Sequence, residues 1–154
     1  VQIIQKNSLK PSSISKSISF TRNPKFHNVD KRVGLGSQYL EVKIVVDGDK
    51  LSNRYKIQPF NFFKSRTKHT YPSPRAEEEE RVITNDNINN FDNYVISYDI
   101  NIDEIEKQYE QPFDYYEYIR YMVKKTDKIK FYYKNTQIPN IKAFKLLKKI
   151  YSDT

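Results

Sequence analysis

Between Tyr39 and Val46 the chain alternates residue by residue. Leu40, Val42, Ile44 and Val46 fall on one side; Tyr39, Glu41, Lys43 and Val45 fall on the other. That period of two predicts a strand and commits the chain to building a sheet. The same alternation runs through residues 17–22, where Ile18 and Phe20 oppose Ser17, Ser19 and Thr21, and through residues 94–102. Residues 78–84 and 129–133 predict further strands, and residues 55–60 read as extended. Asp47-Gly48-Asp49 predicts a turn and residues 50–54 a single helical turn. Residues 1–9 read as the end of a short helix with Asn7 as its terminator, and Pro11-Ser12-Ser13 as a loop.

Loops are expected over residues 23–37, 61–75 and the Asn-rich 85–90. Toward the end of the chain helical spacing takes over. Asp103 is placed to cap a short helix with Glu104 and Glu106 in its first turn. Residues 113–125 carry Tyr115, Ile119, Met122 and Val123 at helical spacing, and residues 142–151 turn Phe144, Leu147 and Ile150 inward. Strands with helices toward both ends predict an α+β fold, a split and mostly antiparallel sheet with flanking helices, in one domain spanning residues 1–154.

Hydrophobic content is only 37%, so the core has to draw on the 13 Tyr and 9 Phe. With no cysteine, disulfides, thiol catalysis and cysteine-based zinc sites are excluded. His27 and His69 lie too far apart for metal-ligand spacing, and no metal is expected. No apolar run reaches the roughly 18 residues a membrane helix needs, so no membrane partner is expected. Charge is unevenly spread. Residues 1–74 hold 14 Lys/Arg against 4 Asp/Glu, and residues 75–154 hold 13 against 15. A basic first half suits polyanionic partners, and equally suits a solvated lysine-rich surface.

Four adjacent carboxylates, Glu77 to Glu80, follow the proline-flanked Tyr71-Pro72-Ser73-Pro74 and run into Arg81-Val82-Ile83. In a strand, Glu78 and Glu80 share one face and Glu77 and Glu79 the other. Such a run serves as a solvated strand end, as a pair of carboxylates aimed at one ligand, or as oxygen ligands for Mg²⁺ or Ca²⁺. Likewise, the hydroxyl row of residues 17–22 is either the wet side of an edge strand or a set of ligand-binding groups.

Four segments together resemble the ADP-ribosyltransferase-like domains, particularly divergent ones carried by phages. These are Ile3-Ile4 followed by Asn7-Ser8-Leu9-Lys10-Pro11, Ser17-Ile18-Ser19-Phe20-Thr21-Arg22, Asp47-Gly48-Asp49-Lys50-Leu51 and Glu79-Glu80-Arg81-Val82. The resemblance covers about residues 1–102. It implies a split β-sandwich around a cleft for nicotinamide adenine dinucleotide (NAD), which serves as the substrate. It also implies that Ser19, Thr21 and Arg22 contact the dinucleotide. Glu80 is then the catalytic carboxylate, Glu79 takes that role if the frame moves by one, and Glu78 faces the acceptor. The family's first motif, an Arg or His on a strand, would precede Val1, so the chain is expected to be a fragment or a processed chain lacking that strand. Implied partners are a protein or nucleic-acid acceptor and virion or phage proteins, in the host cytoplasm or the virion.

The chemistry needs these groups. Breaking the nicotinamide–ribose bond develops positive charge on the sugar, which a fixed carboxylate stabilises more than the ground state. A second carboxylate can orient or deprotonate the acceptor. Two other readings stand beside this one. In a nucleic-acid-binding module, Tyr55, Lys56, Phe60, Phe62, Phe63, Lys64 and Arg66 would interleave stacking platforms with cations. In a non-catalytic virion-associated structural protein, the fold is carried without turnover.

Overall fold

The computed structural model describes residues 2–14, 16–21, 42–59, 79–107 and 115–152. The loops expected at 23–37 and 61–75, residues 39–41 of the expected strand, Phe113, both histidines, Arg22 and Glu78 lie outside the described residues.

In chain order the first elements are α1 (Gln2–Lys6), β1 (Ser8–Leu9), β2 (Ser17–Thr21), β3 (Val42–Val46), α2 (Gly48–Ser52), β4 (Lys56–Pro59) and β5 (Glu79–Ile83). Then come β6 (Ile88–Asn89), a 3-10 turn (Phe91–Tyr94), β7 (Val95–Asn101), α3 (Ile102–Lys107), α4 (Tyr115–Lys125), β8 (Ile129–Tyr133), β9 (Thr136–Ile138) and α5 (Asn140–Ser152). The class is α+β with both mixed and antiparallel sheets. Backbone packing sorts the chain into two compact units.

The first unit comprises Val1–Ser8, Tyr39–Asp47 and Asn90–Thr154. Its four-stranded sheet runs in the order β3-β7-β8-β9. β7 and β8 pair in parallel, while β3–β7 and β8–β9 are antiparallel. A parallel pair needs a long return connection, and the segment carrying α3 and α4 supplies it. Along β8, Ile129 and Phe131 are buried while Lys130 and Tyr132 are only partly covered, so one face of the sheet is apolar. α3 and α5 pack against β8, and α4 packs on α5. Phe131, fully buried, meets Phe144 of α5 edge-on at 5.7 Å. Phe144 meets Tyr116 of α4 at 5.9 Å, and Tyr116 meets Tyr151 at 6.5 Å. The buried core of the described residues is nonetheless mainly aliphatic, with Phe91, Tyr98 and Phe131 its aromatic members, so it draws on the tyrosines and phenylalanines less than expected.

Lys134 (φ 49°) and Asn135 (φ 59°) join β8 to β9 with two successive left-handed residues. That pair matches the twist of a two-residue hairpin turn. Between Val45 and Val46 the β3–β7 register shifts, leaving Ile96 as an extra, exposed residue on β7.

The second unit comprises Leu9–Gln38 and Gly48–Asn89. Its sheet is antiparallel in the order β2-β5-β4, with β5 central. α2 packs against β4 and buries Leu51. Three expectations shift here and nearby. The turn expected at Asp47-Gly48-Asp49 is already helical from Gly48, so α2 begins two residues early. The Asn-rich loop contains β6, which pairs with β1. Asp103 lies inside the first turn of α3 rather than capping it. Its carboxylate instead accepts a hydrogen bond from the Lys134 amide.

Candidate functional site

β2 and β5 are antiparallel neighbours, so the hydroxyl strand and the glutamate strand lie side by side. Ile18 and Phe20 give β2 its apolar row; Ser17 and Ser19 give it the other. Directly paired residues share a face, and the register therefore sorts the side chains across three strands. Ser19 is opposite Arg81, and Arg81 is opposite Gln58 of β4. Ser19 and Gln58 are exposed and Arg81 is half-buried. A hydroxyl, a guanidinium and an amide thus line up across the sheet. Next to them runs the row Ser17, Ile83 and Lys56, in which Ser17 is buried.

The other face holds Ile18, Val82 and Ile57, with Val82 1% exposed. Glu80 belongs to this apolar side, paired with Phe20 on β2 and Pro59 on the edge strand β4. Ser19 and Glu80 consequently lie on opposite faces of the sheet. The frame in which Glu80 meets the hydroxyls does not fit this register. Position 79 has the parity of Arg81, and its backbone partner is Thr21. Sequence reading missed Arg81. The available signal was its spacing, two residues beyond Glu79 on the same strand.

A second polar constellation, which sequence reading also missed, sits in the first unit. Asp92 occupies the 3-10 turn, whose N-cap residue Asn90 is left-handed. One Asp92 carboxylate oxygen accepts from the Tyr98 hydroxyl at 3.2 Å and the Thr126 hydroxyl at 3.3 Å. The other faces the Lys128 ammonium at 3.2 Å. Lys128 also donates to the Asp92 carbonyl. Burial, reinforced by the charge of Asp92 and the hydrogen bond to it, pushes the Tyr98 hydroxyl well above the usual tyrosine range. Both carboxylate oxygens and the carbonyl of Asp92 are engaged, so the cluster reads as a clamp joining the turn, β7 and the start of β8.

Along β7, Asp99 and Asn101 share a face. Asp99 pairs with Lys43 of β3 at 3.6 Å. Burial, and secondarily the Asp99 charge, raises the Tyr132 hydroxyl on the neighbouring β8. One oxygen each of Asp99 and Asn101 is buried without a hydrogen-bond partner.

Among the described residues no group of three or more His, Cys, Asp and Glu is placed to hold a metal ion, and no helix is long and apolar enough to cross a membrane. Compared with known proteins, the chain matches no protein-family model, no curated protein and no solved structure.

Proposed function

We propose that this chain handles NAD as an ADP-ribosyl donor, with the β2–β5 pair as its sugar-facing element and Glu79 as the reacting carboxylate. The observation that carries the reading is the register: a hydroxyl-bearing strand pairs directly with an acidic one, Thr21 opposite Glu79 and Ser19 opposite Arg81. The groups present fit the substrate's chemistry. Ser19 and Gln58 can donate to and accept from ribose hydroxyls, and Arg81 supplies a fork suited to a phosphate.

In the transfer, the ribose C1–nicotinamide bond breaks and neutral nicotinamide leaves with the bonding pair. An oxygen or nitrogen of the acceptor then bonds to C1 and gives up its proton. Glu79 stabilises the positive charge that develops on the sugar between those events. With the reacting carboxylate at position 79, the E-x-E spacing moves the acceptor-side partner from Glu78 to Glu77, two residues earlier on the same face. The experiment is turnover of NAD labelled in its adenosine half by the purified protein, with nicotinamide release followed in parallel. Labelled acceptor or free labelled ADP-ribose is the expected result. No nicotinamide release under any acceptor condition would overturn the reading.

A further inference from the structure

The face that α5 turns to solvent carries four lysines around one exposed apolar residue, Ile141 (74% exposed). Lys142, Lys145, Lys148 and Lys149 are all exposed, and the helix Asn140–Ser152 contains no carboxylate. We infer that this face is a nucleic-acid-binding surface that grips the phosphate backbone without reading sequence, independently of any transferase activity.

Helix stability does not explain the lysines. Lys148 and Lys149 near the C-terminus suit the helix dipole, but Lys142 lies in the first turn, where a cation is disfavoured. The pairs 142/145 and 145/148 stand three residues apart, close enough for like charges to repel, with no acid on the helix to relieve them. Lys142, Lys145 and Lys148 are thus held near one another at a cost that a polyanion would offset. Successive lysines three residues apart climb about 4.5 Å along the axis. Duplex DNA presents one phosphate charge per roughly 1.7 Å of its own axis, so each cation meets an anion wherever the helix lies along it. α4, packed on α5, adds exposed Lys124 and Lys125.

The chemistry of this face argues against other partners. Protein interfaces are depleted in lysine and anchored by aromatic residues. The α5 aromatics Phe144 and Tyr151 are instead engaged with Phe131 and Tyr116. A membrane-surface helix needs its apolar face free. Here Ala143 and Leu147 on that face are fully buried within the protein, which leaves Ile141 as a single exposed apolar side chain beside the lysines.

The test is fluorescence anisotropy of a labelled 20-base-pair duplex and a labelled single strand, titrated with protein at several salt concentrations. Wild type should bind both, with log affinity falling linearly in log salt. The triple variant Lys142→Gln/Lys145→Gln/Lys148→Gln should bind about tenfold or more weakly, with a duplex salt slope shallower by about 0.9 for each phosphate it no longer neutralises. Replacing the same three by Arg should retain binding. A charge-matched control, Lys6→Gln/Lys10→Gln/Lys16→Gln, should bind like wild type, and circular dichroism should show that each variant keeps its helix content. Equal weakening by the control would reduce the effect to bulk charge and overturn the proposal. So would binding confined to vesicles containing phosphatidylserine or to a poly-glutamate peptide.

Discussion

The side-chain oxygen of Asn7 accepts a hydrogen bond from the Asp92 amide at 2.7 Å, across 85 residues of sequence. The Asn7 carbonyl accepts another from the Phe91 amide at 3.0 Å. Asn7 is itself left-handed, with φ 46°, where it ends α1. One residue therefore stops a helix and satisfies two amides at the start of the 3-10 turn. Asparagine tolerates that backbone conformation and carries the acceptor as well.

These two roles separate by substitution. Asn7→Gly keeps the backbone conformation and loses the side-chain acceptor, and should cost about 1 kcal/mol. Asn7→Ala loses both and should cost about 2 kcal/mol. Urea midpoints compared at constant m-value measure the difference. An Ala variant as stable as the Gly variant would show that left-handed strain contributes nothing here.

Alkaline pH should weaken the first unit through Tyr98. Its hydroxyl is raised in the folded state relative to the unfolded chain. The stabilisation is therefore fully present below the unfolded tyrosine value of about 10, and is lost as pH rises toward the folded value. Thermal unfolding followed from pH 8 to 11 should show stability falling toward the alkaline end. Tyr98→Phe should be less stable than wild type at pH 8 and should lose less on the way to pH 11. Parallel losses in the two proteins would remove Tyr98 as the cause.

At the β8–β9 hairpin, Lys134 and Asn135 both occupy left-handed conformations that ordinary side chains resist. Changing the pair to Asn-Gly should stabilise the protein by about 0.5–1 kcal/mol, because those residues adopt this turn with less strain. The Lys134 amide bond to Asp103 uses the backbone and is retained. A lower melting temperature would mean that the Lys134 side chain does more than fill the turn.

Strand alternation made most of the described sheet readable. β8 falls on the expected residues 129–133, and β2 and β5 lie within their expected ranges. What escaped depended on partners distant in sequence. β9 is three residues long and follows a Lys-Asn turn rather than a glycine turn, so nothing local announced it. The residue Gly48, expected to turn the chain, begins α2, and burial of Leu51 anchors that helix. The glutamate frame was ambiguous because Val82 and Ile83 are both apolar, so either parity of β5 could have faced inward. Only the pairing with Ile18 and Ile57 resolves it. The Asp92 clamp joins positions 7, 92, 98, 126 and 128, whose separate residue types carry no joint signal.

The glutamates provide the sharpest test of function, because register and simple E-x-E counting favour different residues. Counting places the reacting carboxylate at Glu80. Register puts Glu80 beside Phe20, on the face of Ile18 and Val82, and puts Glu79 opposite Thr21. Glutamine keeps the shape of glutamate and removes the charge proposed to stabilise the developing sugar cation. Loss of such a fixed electrostatic interaction costs about 3–4 kcal/mol, or 10²–10³ in rate. Glu79→Gln should therefore reduce nicotinamide release by that factor while thermal unfolding stays close to wild type. Glu80→Gln should turn over within about threefold of wild type, since a side chain on the opposite face of the sheet makes no direct contact with the sugar. Arg81→Gln, which removes the guanidinium proposed to bind a phosphate, should raise KM for NAD more than it lowers kcat. Nicotinamide release by the intact protein and the three variants checks all of this. If Glu80→Gln were inactive and Glu79→Gln active, the counting frame would be restored. Wild-type rates in both would leave the run of glutamates as a solvated strand end.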